Sequence, residues 1–238
     1  MNAILLQPAE VASVFMNGAA LMLLISIFLT TAIYRERGRL DDRLFFYMIL
    51  VDAVIAVCDA ISYVVDAHRF PFARTLTILS NTTMLFSLTV FAALFIALIH
   101  YRIYREEERT RKLGRLLIAV EAVILLADLL NIPFGYFFHI NEQNVFVYEP
   151  IFILQTIMIY GLMAVGSLMA LFAKITGVSG KYIPAGMLLL LLVPDLVANF
   201  LIYDLSVYAV TRSILLCYLH MAILNEEFYA RGGNVACR

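Results

Sequence analysis

Charged residues are scarce in this chain of 238 residues: Asp, Glu, Lys and Arg make up 15% of it, against 63% hydrophobic residues. A soluble domain of this length cannot hide so much apolar side chain, so the composition excludes one. Lipid is therefore expected to surround most of the chain. The net charge of −1 identifies no partner by itself, and we expect no nucleic acid among the partners.

Lysine and cysteine are also few, and their positions exclude several chemistries. A retinal Schiff base needs a lysine inside the helix bundle, but all three lysines, at positions 112, 174 and 181, lie outside the apolar runs. The three cysteines show no pairing pattern, so we expect no disulfide and no metal site. No Gly-rich phosphate loop, HExxH motif or Ser/His/Asp set occurs. We therefore expect neither a cofactor nor enzymatic activity.

What the sequence does contain is seven apolar runs of roughly 18–25 residues, the length that crosses about 30 Å of hydrocarbon. They predict an all-α integral membrane protein, a bundle of seven spans near residues 11–33, 44–65, 75–99, 116–136, 150–173, 182–203 and 207–224. Residues 1–224 are expected to form the membrane domain. Residues 225–238 are expected to form a short cytoplasmic tail, with no effector domain.

Basic residues are distributed unequally between the segments that connect the spans. One side holds fourteen of them, in segments 35–43, 102–115, 174–181 and 231–238, whereas the other side holds only Arg69 and Arg74. Cytoplasmic loops carry the excess of Lys and Arg in membrane proteins. The amino terminus is therefore predicted to lie outside and the carboxyl terminus in the cytoplasm.

Two connecting segments are predicted to have structure of their own. In the loop between spans four and five, FFHI and VFVY are β-prone and the intervening NEQN is turn-like. This pattern predicts a small extracellular β-hairpin. The basic segment 100–115 is predicted to continue span three as a helix along the membrane surface, attracted to anionic lipid.

Polar side chains recur at one depth, near the outer end of every predicted span. The candidate ligand-binding residues among them are Asp59, Tyr63, Asn81, Asp128, Asn131, Gln155, Asp195, Asn199 and Arg212. A charged side chain inside a membrane costs about 3 kcal/mol or more unless it faces the bundle interior or water. We therefore expect these side chains to turn inward around a cavity.

Asp195 and Arg212 lie at matching depth on adjacent antiparallel spans and are predicted to form an ion pair. Such a pair can serve merely to hold two helices together. The alternative is that the whole polar layer binds a ligand or an ion. Three carboxylates against one arginine leave an excess of negative charge, which favours a cavity that contains a cation, a proton or water.

The seven spans, the outside amino terminus, the aspartates of span two and the loop FFHINEQNVFVY resemble a known family. This is the seven-helix sensor region that precedes the catalytic domain in many bacterial diguanylate cyclases (GGDEF proteins) and some membrane histidine kinases. The loop residues that match its pattern are Phe138, Ile140, Asn141, Asn144, Phe146 and Tyr148. Glu149-Pro150 departs from the usual basic-Gly close of that pattern. The resemblance implies a homodimeric sensor in a bacterial cytoplasmic membrane, which signals through its last two spans to a cytoplasmic effector.

The sequence thus favours a receptor module that binds a small extracellular ligand in an outer polar cavity. The alternative is a small ion- or proton-coupled transporter, for which Asp52 and Glu121 near the midplane give the main support. A third interpretation is an assembly subunit in which the carboxylates only hold helices together.

Overall fold

The computed structural model describes residues 8–34, 39–68, 70–178 and 208–232. In chain order the elements are α1 (Pro8–Tyr34), α2 (Leu40–Val65), α3 (Ala73–Tyr104), α4 (Glu107–Phe134), β1 (Phe138–Ile140), β2 (Phe146–Tyr148), α5 (Phe152–Ile175) and α6 (Tyr208–Gly232). The fold is all-α with one small sheet, as predicted. Within these residues five helices, α1 to α5, are long and apolar enough to cross a membrane. Helix α6 corresponds to the seventh predicted span, and the sixth, 182–203, lies outside the described residues.

Helix α3 is the centre of the bundle, because 72% of its most apolar stretch is buried, against 17% for α4. It packs against α2, α4 and α5, while α1 packs against α2 and α6. Three phenylalanines, Phe45 of α2 and Phe91 and Phe95 of α3, are fully buried in the core. Helix α4 instead exposes apolar side chains such as Ile118 and Val123, as a surface that faces lipid would.

Helices α3 and α5 approach closely at a glycine. A Cβ atom added to Gly166 would lie 2.7 Å from Cε1 and 2.8 Å from Cδ1 of Phe95. Both distances are well inside the 3.5–4.0 Å, roughly, at which carbon atoms make optimal contact. The absence of a side chain at Gly166 therefore allows the Phe95 ring to fill the space between the helices.

The predicted helical continuation of span three through residues 100–115 is wrong. Helix α3 ends at Tyr104, because Arg105 takes the left-handed conformation (φ 56°) and Glu106 is extended. The Arg105 guanidinium is held in this turn by Asp41 at 3.4 Å and Glu226 at 3.3 Å. A new helix, α4, begins at Glu107, where acidic side chains in the first turn complement the helix dipole.

The predicted β-hairpin is confirmed as a two-stranded antiparallel sheet, with Phe138 opposite Tyr148 and Ile140 opposite Phe146. Asn144 in its turn has φ of 64°, a conformation that asparagine tolerates better than most residues. Its Nδ2 donates to the carbonyl oxygens of Val65 at 2.9 Å and His68 at 3.1 Å. The hairpin is therefore fastened to the connection between α2 and α3, and we call this end of the bundle the hairpin end.

Candidate functional site

A cavity of about 260 Å³ lies at the hairpin end. Helices α2, α3, α5 and α6 and the hairpin all contribute to its walls. The lining residues are Asp59, Ser62, Tyr63, Asp66, Asn81, Met84, Leu85, Leu88, Val145, Phe146, Tyr148, Phe152, Thr156, Ile159, Tyr160 and Arg212. Of the nine predicted site residues, Asp59, Tyr63, Asn81 and Arg212 are among them.

One face of α2 supplies the acidic wall. Asp59 and Tyr63 are four residues apart, which places them on the same side of the helix, and Asp66 follows just beyond its end. Asp59 is buried, and its Oδ2 accepts a hydrogen bond of 2.7 Å from Nδ2 of Asn17 on α1. This hydrogen bond connects α1 to the carboxylate of α2.

Asp66 lies just beyond the end of α2 and joins the cavity wall to the hairpin. Its Oδ1 accepts the backbone N–H of Phe146 at 3.0 Å. Burial raises the pKa of the Asp66 carboxyl above its usual value, and the nearby Glu10 adds to the rise, while the Phe146 hydrogen bond opposes it. Asp66 was not predicted as a site residue, although its spacing of seven from Asp59 was a signal in the sequence.

Arg212 reaches the cavity from α6, where it also forms a buried ion pair with α2. Its Nε lies 2.9 Å from Oδ1 of Asp52, and Ser213 Oγ donates to Oδ2 of the same carboxylate at 3.1 Å. Asp52 is completely buried. The predicted partner Asp195, like the site candidate Asn199, lies outside the described residues. The sequence offers Asp52 as support for a transporter, and the structure makes it a partner of the Arg212 guanidinium.

Three predicted site residues do not line the cavity. Gln155 Nε2 donates to Oδ1 of buried Asp128 at 2.9 Å, which links α5 to α4 away from the cavity. Asn131 is engaged by the hairpin backbone, since its Oδ1 accepts the N–H of Phe137 at 2.7 Å and its Nδ2 donates to the Phe138 carbonyl at 3.1 Å. These residues share the depth of the cavity but face other neighbours.

Aromatic side chains that the sequence did not predict as site residues form another part of the cavity wall. The rings of Phe146 and Tyr148 lie 4.7 Å apart between centroids, and Tyr148 and Phe152 are equally close. Tyr160 of α5 also lines the cavity. In the sequence, residues 146 and 148 were notable only as part of a loop motif. Their period of two, which directs both to one face of the strand, was the available signal.

A second ionic cluster lies at the opposite end of the bundle from the hairpin. Arg102 is buried near the end of α3 and forms an ion pair with Glu226 of α6, and it lies 3.9 Å from Asp41 of α2. Between the two ends, His220 of α6 is buried with its Nε2 3.0 Å from Thr30 Oγ1. Polar contacts of α6 therefore extend from Arg212 through His220 to Glu226 and are not confined to the hairpin end.

These features define a helical protein whose apolar helices indicate several membrane spans and whose polar cavity lies at one end. Within the described part of the chain, no group of three His, Cys, Asp or Glu side chains is placed to hold a metal ion. Comparison of the chain with protein-family models, with curated proteins and with solved structures found no match.

Proposed function

We propose that the chain is a membrane sensor module that binds a small ligand in the cavity at the hairpin end and relays occupancy through its last helices to a cytoplasmic effector. The observation that carries the proposal is the cavity itself, in which two carboxylates, a guanidinium and several aromatic rings converge from five elements. Binding sites are typically concave and largely apolar, with a few convergent polar groups that orient the ligand.

The orientation of the bundle supports ligand entry from outside the cell. Among the described residues, the excess of Lys and Arg lies at the end opposite the hairpin, at the start of α2, the end of α3, the start of α4 and the end of α5. By the positive-inside rule that end is cytoplasmic, so the cavity faces the exterior. The resemblance of the loop to the sensor regions of bacterial diguanylate cyclases agrees with this direction, and with a homodimer in a bacterial cytoplasmic membrane.

Helix α6 supports a relay between the two ends. Arg212 lines the cavity and Glu226 contacts Arg102 and Arg105. These two residues of α6 are about 21 Å apart along the axis at about 1.5 Å per residue. A ligand that changes the position of Arg212 therefore acts on the helix that carries Glu226. The predicted sixth span would take part in the relay, and it lies outside the described residues.

Ligand binding is tested by thermal unfolding of the purified protein in detergent with a panel of amines, carboxylic acids and alcohols of about ten non-hydrogen atoms. A stabilising compound should lose its effect in Asn81→Leu and Arg212→Gln. It should keep its effect in Asp128→Asn, the matched change of a buried polar residue outside the cavity. A stabiliser that fails equally in Asp128→Asn would contradict binding in this cavity.

The relay is tested with nitroxide labels at exposed positions on two helices. Asn225→Cys on α6 and Arg111→Cys on α4 would be labelled in a background in which the native cysteines are replaced by serine. Adding the stabilising compound should change the distance between the labels measured by pulsed electron paramagnetic resonance. An unchanged distance with the ligand bound would argue against a sensor.

The distribution of buried ionisable groups supports a second candidate, an ion- or proton-coupled transporter. Asp52, His220 and Arg102 form a discontinuous series from the cavity to the opposite end of the bundle. Such groups inside membranes mark ion and proton pathways in many transporters. In liposomes that contain a pH-sensitive dye, a transporter would move protons with the ligand and Asp52→Asn would abolish the movement. If a ligand binds to the protein but is not transported, the transporter is excluded.

A further inference from the structure

Two hydroxyl groups of the cavity wall act as acceptors toward a ligand, because their own hydrogens are already engaged. Ser62 Oγ donates to the Asp59 carbonyl at 2.9 Å, and Thr156 Oγ1 donates to the Phe152 carbonyl at 3.3 Å. Both hydroxyl hydrogens are thus engaged by the backbone of their own helices. The two hydroxyl oxygens can therefore still accept hydrogen bonds from a ligand.

Asn81 adds an acceptor that lacks a donor. This residue of α3 is 5% exposed and lines the cavity. Its Nδ2 donates to the Thr77 carbonyl at 2.8 Å, which fixes the orientation of the amide. Among the described residues nothing donates to its Oδ1. Because Asn81 lines the cavity, this oxygen is available to a ligand that donates a hydrogen bond.

The charge of the cavity is negative on balance. The positive charge of Arg212 is matched by Asp52 at 2.9 Å, and Asp52 is not part of the cavity wall. Asp66 receives the backbone N–H groups of Phe146 and Ala67, and within the described ranges no arginine or lysine forms an ion pair with it. The carboxylate wall of α2 therefore attracts a cation.

The aromatic part of the cavity wall favours one kind of cation over another. Phe146, Tyr148 and Phe152 present ring faces and edges, which favour an organic cation with an apolar body over a hydrated inorganic ion. The volume of about 260 Å³ equals roughly nine water molecules at about 30 Å³ each. A ligand of about ten non-hydrogen atoms would fill it.

Resting on the sensor proposal, we infer that the ligand is a small protonated amine with an aromatic or similarly compact apolar body. Its ammonium group donates hydrogen bonds to Asp66 and to Oδ1 of Asn81, and its body packs against Phe146, Tyr148 and Phe152. Arg212 bounds the cavity without contacting the ammonium group.

The test uses three probes of nearly equal size that differ in charge: 2-phenylethylamine, 2-phenylethanol and phenylacetate. Their affinities for the purified protein would be measured by calorimetry at neutral pH. The amine should bind at least tenfold more tightly than the alcohol and the acid. Asp66→Asn and Asn81→Leu should each weaken amine binding at least fivefold, while Asp128→Asn leaves it unchanged.

The remaining outcomes separate this inference from the sensor proposal. Tighter binding of phenylacetate, lost in Arg212→Gln, would overturn the amine assignment and leave a ligand-binding cavity in place. Equal binding of all three probes, or an amine affinity that Asp66→Asn does not change, would also overturn it. If none of the three binds, the amine assignment is refuted, and the wider panel of compounds then decides the sensor proposal on its own.

Discussion

Replacing Gly166 by alanine should destabilise the protein by forcing α3 and α5 apart, and a matched glycine provides the control. The new Cβ would lie 2.7 Å from the Phe95 ring, about 0.8–1.3 Å closer than carbon atoms pack at optimum distance. Phe95 is fully buried in the main core cluster, so its ring can move away only by displacing neighbouring side chains. Overpacking of this kind costs about 1–3 kcal/mol.

Alanine also has a higher helix propensity than glycine, by about 1 kcal/mol, and this gain must be removed from the comparison. Gly161→Ala does so, because Gly161 lies on the same helix and a Cβ there meets nothing within 4 Å. The difference in unfolding free energy between Gly161→Ala and Gly166→Ala isolates the contact with Phe95. We expect it to be about 1–3 kcal/mol, or several degrees in Tm at about 2–4 °C per kcal/mol.

The assay is thermal unfolding of both variants in one detergent. In the Gly166→Ala background, Phe95→Leu should recover part of the loss, because the smaller side chain leaves room for the methyl group, and the two changes should be non-additive. Equal Tm values for the two glycine variants would refute the close packing of α3 on α5. They would also remove support for the cavity wall that these two helices form.

Three further predictions concern the cavity, the hairpin and the ionic cluster. Burial raises the folded-state pKa of Asp66, so the contribution of this carboxyl to stability is present below the unfolded pKa of about 4 and is lost as the pH rises through the folded pKa. The Tm of the protein should therefore fall over this pH range, and Asp66→Asn should make the fall smaller. An unchanged pH profile of Tm in the variant would contradict the assignment. Asn144→Ala removes the contacts of Nδ2 with Val65, His68 and Thr77 at a residue with positive φ and should cost about 1–3 kcal/mol. Hydrogen exchange at Phe146 should become faster, and slow exchange there would contradict the anchoring. Glu226→Gln leaves Arg102 with a weaker partner and should lower the stability measured by denaturant unfolding by about 1–3 kcal/mol, whereas no change would mean that the cluster is not a clamp.

The helices and the hairpin could be predicted because they depend on local properties of the sequence. The predicted span 44–65 became Leu40–Val65, and the strands formed within FFHI and VFVY. Apolar length determines a span and turn residues determine a hairpin. The break at Arg105 could not be predicted in this way, because it depends on Asp41 and Glu226, which are distant in sequence.

The members of the cavity could be predicted only in part, for a geometric reason. Position in the sequence gives the depth of a residue along its helix, but each residue turns the side chain by about 100° around the axis. Asp59 and Asp128 were assigned the same depth, and only Asp59 lines the cavity. Asp128 faces Gln155 instead. Whether a side chain faces the cavity depends on how the neighbouring helices pack. No local pattern in a single sequence contains that information.

The contact between Asp52 and Arg212 connects the charge of the ligand to the direction of the relay. Arg212 lies between the cavity on one side and Asp52 on the other. A protonated amine in the cavity would repel the guanidinium toward Asp52 and strengthen the contact between α2 and α6, whereas an anion would draw it away and weaken that contact. Since Glu226 is carried by the same helix as Arg212, the two kinds of ligand should move the opposite end of α6 in different directions. If the ligand is an amine, its binding would therefore strengthen the contact between α2 and α6, and its release would weaken that contact.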